Sequence, residues 1–364
     1  MTKKKILIAT GGTGGHVFPA CSLANNLINK DYSVEITIDN RGLQYLKKYN
    51  HFNFKKISSS PLIKKNIFTI LYSLIKIFLS IIKSIIVLIY SRPSIVFGMG
   101  GYSSFPVCIA ASILRIKFII YENNLIIGKA NRYLLPFAEK ILVSYKDLEG
   151  ISKKHRYKIF EIGNIVREEI LNSTATFDKT ETFDTIKILV LGGSQAAKIF
   201  AEELPQIFAK LKNSEIPIKV YQQCHQEQND RLAQFYKKVN IDNEIFNFSN
   251  KIIDYYSKVN LVITRSGASV LGELINVKLP FISIPLPSSA DNHQYKNAEF
   301  YQKKGFGFLL DEKDIKNQLY NLINSIFKDN TLIKNTLFNQ RQYSDKNIFK
   351  NLNIQLEKIL NEKN

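Results

Sequence analysis

The feature that most restricts this chain is a unit that occurs twice: a buried apolar run, a glycine cluster, then a helical pattern. Lys5-Ile6-Leu7-Ile8-Ala9 enters Gly11-Gly12-Thr13-Gly14-Gly15-His16. About 180 residues later, Ile186-Lys187-Ile188-Leu189-Val190-Leu191 enters Gly192-Gly193-Ser194-Gln195. The first unit continues with a helical pattern from about Pro19 to Asn29 and a second strand, Ser33 to Ile38, which makes a βαβ unit. Ser94 to Phe97 runs into Gly98-Met99-Gly100-Gly101, Phe118 to Tyr121 into Glu122-Asn123-Asn124, and Leu261 to Thr264 into Arg265-Ser266-Gly267; Leu279 to Ile284 is a further strand. Strands alternating with helices in both halves predict two α/β domains built on parallel sheets.

A length of 364 residues suits two such domains. The balance of 45% hydrophobic and 22% charged residues excludes disorder, collagen or coiled coil for the whole chain. Cys21, Cys108 and Cys224 are far apart in sequence, which disfavours a disulfide framework or zinc knuckle and fits a reducing cytoplasm. A net charge of +19 favours anionic partners: nucleic acid, anionic lipid or phosphorylated substrates. A chain-wide abundance of Lys, Ile and Asn from biased base composition gives the same excess, so both readings stay open. Lys3-Lys4-Lys5 is a basic start, but the apolar run after it stops at Gly11, too soon for a signal peptide.

Three segments stand apart. Asn172 to Thr185, rich in Thr and Asp, reads as a linker or surface loop. Residues 344–361 read as an amphipathic helix capped by Ser344, with Ile348, Leu352, Leu356, Ile359 and Leu360 as its apolar stripe. Residues 67–90 are long and apolar enough to span a bilayer. Their polar residues Thr69, Ser73, Lys76, Ser80 and Lys83, however, fall at spacings of 4, 3, 4 and 3, a narrow helical stripe. Two lysines near mid-span would cost about 2.5–3.5 kcal/mol each. A helix packed on a sheet or lying at a membrane surface explains the stripe better than a span.

Ligands of parallel sheets bind at the carboxyl ends of the strands, where all five turns lie. Helix N-termini there offer free N–H groups and partial positive charge to phosphate. A dinucleotide fingerprint fails because Gly12-x-Gly14-x-x ends on Val17, and the P-loop spacing is absent. Asp39, after the second strand, is either a ribose-binding acid or a solvated turn aspartate beside Asn40. His16 follows the phosphate turn and suits a general base. In the second half, Glu273 falls one to two turns into the helix after Arg265-Ser266-Gly267-Ala268-Ser269. There it can accept both hydroxyls of a ribose whose diphosphate is held by the turn. Asp291-Asn292-His293-Gln294-Tyr295 could read sugar hydroxyls, and the set points to a nucleotide-sugar.

The ordered series Gly11-Gly12-Thr13-Gly14-Gly15-His16-Val17-Phe18-Pro19, Gly98-Met99-Gly100-Gly101-Tyr102, Glu122-Asn123-Asn124, Gly163-Asn164-Ile165-Val166-Arg167, Gly192-Gly193-Ser194-Gln195 and Arg265-Ser266-Gly267-Ala268 resembles the MurG family of bacterial N-acetylglucosaminyltransferases, which act on undecaprenyl-pyrophosphoryl-MurNAc-pentapeptide (lipid I). The resemblance is collinear over nearly the whole chain. It implies an α/β glycosyltransferase B fold: two Rossmann-like parallel-sheet domains facing across a cleft. Residues 1–166 plus 346–364 would form the acceptor and membrane-facing domain, and 167–345 the UDP-sugar donor domain. Implied donor contacts are Thr13, Gly14, Gly15, Asn124, Arg167, Ser194, Ser249, Ala268, Ser269, Val270, Leu271, Gly272, Glu273 and Gln294. Implied acceptor contacts are Gly14, Gly15, Gly100, Gly101 and Tyr102. The chain departs from the family at Asn123, at Ala196 in place of a glycine, at Gln222-Gln223-Cys224-His225, and at Ser249, where a main-chain contact to uracil would survive.

The reaction implied is attack of the MurNAc 4-hydroxyl on C1 of UDP-GlcNAc with inversion, forming lipid II for peptidoglycan. His16 is the first choice of base and Glu122 the second. Leaving-group charge falls to backbone N–H groups and Arg167. No cofactor or obligatory metal is expected, with room only for a divalent ion held loosely by UDP. Expected partners are UDP-GlcNAc, lipid I, the anionic inner membrane surface and cell-wall synthesis proteins, with peripheral attachment at the cytoplasmic face of the inner membrane. Alternatives are a related glycolipid-forming glycosyltransferase, an NAD-dependent oxidoreductase, disfavoured by Val17, and a nucleic-acid binder. The last fits the charge but lacks an aromatic-interleaved basic stripe.

Overall fold

The computed structural model describes residues 3–46, 49, 51–58, 66–172, 184–193, 198–249 and 251–361. The chain divides into two compact units, Met1–Arg167 with Asp345–Asn364, and Glu168–Ser344.

In the first unit the strands are β1 Lys5–Ala9, β2 Ser33–Ile38, β3 Asn53–Lys56, β4 Ile95–Gly98, β5 Phe118–Glu122, β6 Lys140–Val143 and β7 Ile159–Glu161. They form a parallel sheet in the order β3-β2-β1-β4-β5-β6-β7. In the second unit β8 Ile186–Leu191, β9 Ile218–Gln223, β10 Asp242–Phe246, β11 Leu261–Thr264, β12 Phe281–Ser283 and β13 Phe308–Leu309 pair in the order β10-β9-β8-β11-β12-β13. All these pairings are parallel. Both sheets are the doubly wound arrangement that the alternation of elements predicts. The strand order reverses between β1 and β4, where Ala9 pairs with Gly98, and between β8 and β11, where Leu191 is opposite Thr264. Those reversals are the switch points where such sheets open a ligand crevice. Each is flanked by two of the polar or glycine turns singled out in the sequence. Fully buried Leu7, Val96, Phe118 and Ile120 centre the first core, and Ile188, Val190, Phe208 and Ile263 the second.

Three sequence expectations need correction. The first helix is Gly14–Asn29, so the glycine turn itself supplies its first residues and Thr13 its N-cap. The C-terminal helix is Ile348–Asn361, so it starts four residues after Ser344, the residue expected to open it. Its apolar stripe is buried at Ile348, Leu352, Leu356 and Ile359. The expected linker lies mostly outside the described residues.

The third correction concerns the long apolar helix, Ile67–Ser91. Asn66 and Thr69 form a reciprocal capping box at its start. Its expected polar stripe is split. Ser73 and Ser80, with Ser84 and Ser91, are buried, on a helix that packs against the helix Gly101–Ile113, while Lys76 and Lys83 are exposed. Three of these serines bond their own helix, Ser73 donating to Thr69 O at 2.8 Å, Ser80 to Lys76 O at 2.7 Å and Ser84 to Ser80 O at 2.7 Å, while Ser80 also reaches Ser58 O at 2.6 Å and Ser91 donates to Glu35 Oε2 at 2.5 Å. Small side chains with internally satisfied hydroxyls let two helices approach closely. The large apolar residues therefore point outward: Phe68, Leu71, Ile75, Phe78, Ile82, Ile86 and Ile89 follow one another at helical spacing, all exposed.

Candidate functional site

The site in the first unit grows from the turns after β1 and β4. His16 sits in the first turn of the helix Gly14–Asn29, where its N–H donates to Thr13 O at 3.0 Å. The turn after β4 passes through Gly100 and Gly101 at φ +84° and +72°. A β-carbon on Gly100 would lie 3.3 Å from His16 Cε1, and one on Gly101 3.3 Å from His16 Cδ2 and Nε2. The imidazole thus rests on the second turn's backbone, and the two sequence-distant candidates are brought together. Gly14 and Gly15 open the first helix, Thr13 is exposed, and Tyr102 is exposed at the start of the helix Gly101–Ile113.

Asp39 is neither a ribose acid nor solvated. Its buried Oδ1 accepts the N–H of Gly12 at 2.8 Å and of Gly42 at 2.9 Å; its Oδ2 accepts Ser103 Oγ at 3.0 Å and Arg41 Nε and Nη2 at 3.2 Å. Burial pushes its carboxyl up, but the hydrogen bonds from Gly12, Gly42 and Ser103 and the Arg41 charge outweigh burial and hold it below the usual range. Sequence reasoning missed this role. The local signal is the Asp39–Gly42 spacing of a helix cap, borne out by the short helix Asn40–Leu43.

Glu122 is buried and accepts four protein donors: Asn124 N at 3.2 Å and Nδ2 at 2.8 Å on Oε1, Gly128 N at 2.9 Å and Asn131 Nδ2 at 3.0 Å on Oε2. These donors occupy the lone-pair directions of a carboxylate. That arrangement suits Glu122 to orienting Asn124, a role that competes with its choice as second base. At the end of the unit, Asp345 accepts Asn164 N at 3.1 Å and Nδ2 at 3.2 Å, and Tyr121 OH accepts Ile165 N at 2.9 Å. This fixes the segment leading to Arg167, whose guanidinium stacks 4.2 Å from the centre of the Phe18 ring.

In the second unit the turn Arg265–Gly267 leads into the helix Ala268–Asn276, which carries Ala268, Ser269, Val270, Leu271, Gly272 and Glu273. Arg265 is structural: it donates to Ile284 O and Pro285 O at 3.2 Å and pairs with Glu312. Glu273 is buried and accepts Tyr256 OH at 3.0 Å, a partner that no local pattern announces. Asn297 Nδ2 donates to Ser266 O at 3.1 Å and ties the turn to the helix His293–Lys303, on which Gln294 accepts Leu286 N at 2.9 Å. Ser249, half-buried, accepts Lys251 N at 3.0 Å. At the departure 222–225, Gln222 accepts Tyr236 OH at 2.5 Å in the core, and Cys224 Sγ donates to Asn229 Oδ1 at 3.2 Å. Ser194 and Ala196 lie outside the described residues. No cluster of His, Cys, Asp and Glu suited to a metal occurs among the described residues.

Residues 6–143 match the glycosyltransferase family 28 N-terminal domain, and residues 187–354 the C-terminal domain of the same family. A protein of Pelagibacter ubique named UDP-N-acetylglucosamine--N-acetylmuramyl-(pentapeptide) pyrophosphoryl-undecaprenol N-acetylglucosamine transferase is 35% identical over 99% of both chains. One of the same name from Rickettsia canadensis is 37% identical over 86% of this chain and 87% of that one. In fold, the chain is similar to the crystal structure of Acinetobacter baumannii MurG, with a TM-score of 0.77, 24% identity, and coverage of 98% of this chain and 99% of that one. With both domain models in order along one chain and relatives aligned end to end, the chain belongs to glycosyltransferase family 28.

Proposed function

We infer that the chain is a hexosyltransferase that moves N-acetylglucosamine from UDP-GlcNAc to the MurNAc 4-hydroxyl of lipid I, forming lipid II for peptidoglycan. The observation that carries this reading is the 35% identity over 99% of both chains to a relative bearing that name. The acceptor hydroxyl attacks C1 of the donor from the face opposite UDP, and the anomeric centre inverts. His16 takes the hydroxyl proton; its ring on the Gly100–Gly101 backbone supports this role. Gly14 and Gly15, at a helix N-terminus, and Gly100 and Gly101 receive the acceptor pyrophosphate. Glu273 receives the ribose diol, the Ala268–Gly272 segment the donor diphosphate, and Ser249 the uracil through its main chain. Ser194, Gln294, Asn124 and Arg167 complete the donor contacts with Thr13. Charge on the departing UDP is met by these donors without an obligatory metal.

The same reading places the enzyme peripherally on the cytoplasmic face of the inner membrane, beside its polyprenyl acceptor. The outward apolar face of Ile67–Ser91, with exposed Lys76, Lys83 and Arg92, supports it. The decisive experiment incubates the full chain with radiolabelled UDP-GlcNAc and a short-chain lipid I analogue. Label is expected in the acceptor with inverted configuration. No labelled product would overturn the function.

A further inference from the structure

Asp39 has a place in the fold that the reaction as described leaves unused. It stands just beyond the end of β2, and its carboxylate reaches into two different turns. Gly12, on one side, lies four residues before His16. Ser103, on the other, lies two residues after Gly101. The distances are 2.8 Å and 3.0 Å. Gly42 at 2.9 Å and the half-exposed Arg41 at 3.2 Å also donate to it. Gly11 makes the room: a β-carbon there would lie 2.6 Å from both Asp39 Oδ1 and Ser103 Oγ. The bridge thus joins the turn that carries His16 to the turn on which the imidazole rests.

We propose that Asp39 is a positioning residue for glycosyl transfer: by bridging Gly12 and Ser103 it fixes the spacing of the two glycine turns, and with it the placement of His16 on Gly100 and Gly101. The proposal rests on His16 acting in the reaction proposed above. An amide or apolar residue at position 39 cannot accept from backbone N–H, hydroxyl and guanidinium donors together. Released from the bridge, the turns can separate, and a displacement of about 1 Å at a reacting group can cost about 10²-fold in rate. Donor recognition, assigned mainly to the second unit with Thr13 as its contact in the bridged turns, should change little.

The test uses the full chain with UDP-GlcNAc and a short-chain lipid I analogue. Wild-type turnover is measured first; its absence would overturn the proposed function rather than this inference. Asp39→Ala is expected to lower kcat about 10- to 100-fold, with the KM for UDP-GlcNAc changed less than about twofold. Asp39→Asn, whose carbonyl still accepts Gly12 and Gly42, should recover part of the loss. Ser103→Ala should lower kcat several-fold, and the Asp39→Ala/Ser103→Ala double variant should be no worse than Asp39→Ala, because Ser103 acts through Asp39. Wild-type kcat in Asp39→Ala, a donor KM rising in step with the loss, or losses that multiply in the double variant would each overturn the proposal. If Asp39→Ala does not fold, Asp39→Asn and Ser103→Ala decide it by the same criteria: loss of kcat at constant donor KM supports the bridge, and unchanged kcat in both refutes it.

Discussion

The His16 imidazole rests on the α-carbon of Gly101, so that a β-carbon there would lie 3.3 Å from Cδ2 and Nε2. Gly101 also has φ +72°, a region that costs an L-residue about 1–2 kcal/mol. Gly101→Ala therefore meets two penalties, one in the backbone and one against the ring. It is expected to lower kcat by displacing the imidazole and to lower Tm measurably. Steady-state kinetics and a thermal melt check both; a variant with normal kcat would show that the ring's seat on the second turn is irrelevant to transfer.

Replacing His16 by Ala removes the proposed base but leaves the glycine backbone in place. Loss of a general base typically costs about 10²–10⁴-fold. The loss is expected in kcat, with UDP-GlcNAc KM nearly constant. A loss confined to KM would move His16 from proton transfer to binding.

Glu122 distinguishes support from catalysis. Glu122→Ala leaves the donors of Asn124, Gly128 and Asn131 without their shared carboxylate, and an unsatisfied buried donor costs about 1–3 kcal/mol. A lower Tm is expected together with lower activity. Glu122→Gln should not restore the site fully, because its amide group presents hydrogens to N–H donors. A base role predicts the opposite pattern: lost kcat at unchanged Tm.

Glu273→Ala is expected to raise the KM for UDP-GlcNAc far more than it lowers kcat. A hydrogen bond to a charged group contributes about 1.5–3 kcal/mol, on the order of 10- to 100-fold in binding. Tyr256→Phe removes the Tyr256 hydroxyl bond to Glu273 but keeps the carboxylate, and should raise the donor KM by less. Calorimetric titration with UDP gives the same comparison without turnover, and unchanged UDP affinity in Glu273→Ala would exclude the ribose role.

The doubly wound sheets were legible because strand period and glycine turns are local signals: Lys5–Ala9, Ser33–Ile38 and Ile186–Leu191 fall where the apolar runs place them. The bridges that build the site are not local. Ser103 is 64 residues from Asp39 and Asn164 is 181 from Asp345, so no window of sequence holds both partners. The Ile67–Ser91 helix shows a different limit. Periodicity gives the angle of a stripe but not which side meets the protein, and serines that bond their own helix carbonyls can face inward while isoleucines face out.

Two carboxyls contribute to the pH dependence of the first unit. Burial pushes Glu35 up, but hydrogen bonds from Ser91, Lys55 and Lys5 hold it below its ordinary value, as the bridge does for Asp39. A folded-state pKa below the unfolded one contributes stability that is fully present above the unfolded value. That contribution disappears as pH falls through the folded value. Stability should therefore decline below about pH 4. Glu35→Gln, which also weakens the 2.5 Å link to Ser91, should lower stability at neutral pH and flatten the acid decline. Urea melts across that range check it; an unchanged acid slope would show that Glu35 is not among the groups responsible.

The last prediction concerns the outward face of Ile67–Ser91. Lys64 and Lys65, which precede this helix in the sequence, lie outside the described residues, so the cations to consider are Lys76, Lys83 and Arg92. Each cation near an anionic bilayer contributes about 1 kcal/mol, screened by salt. Moving a large apolar side chain fully out of water contributes about 1.5–3 kcal/mol. Phe68, Leu71, Phe78 and Ile82 together should therefore outweigh the three cations, which makes attachment more apolar and less salt-sensitive than charge alone suggests. Replacing these four by Ser is expected to release the protein from phosphatidylglycerol-containing vesicles. Lys76→Glu with Lys83→Glu should only weaken binding, and high salt should weaken wild-type binding without abolishing it. Turnover of a short-chain acceptor should survive the four serines, since the serine-lined inner face of the helix is untouched. Vesicle co-sedimentation measures each step. Unchanged binding of the four-serine variant would refute attachment through this face, and wild-type protein that alkali cannot extract would refute peripheral attachment altogether.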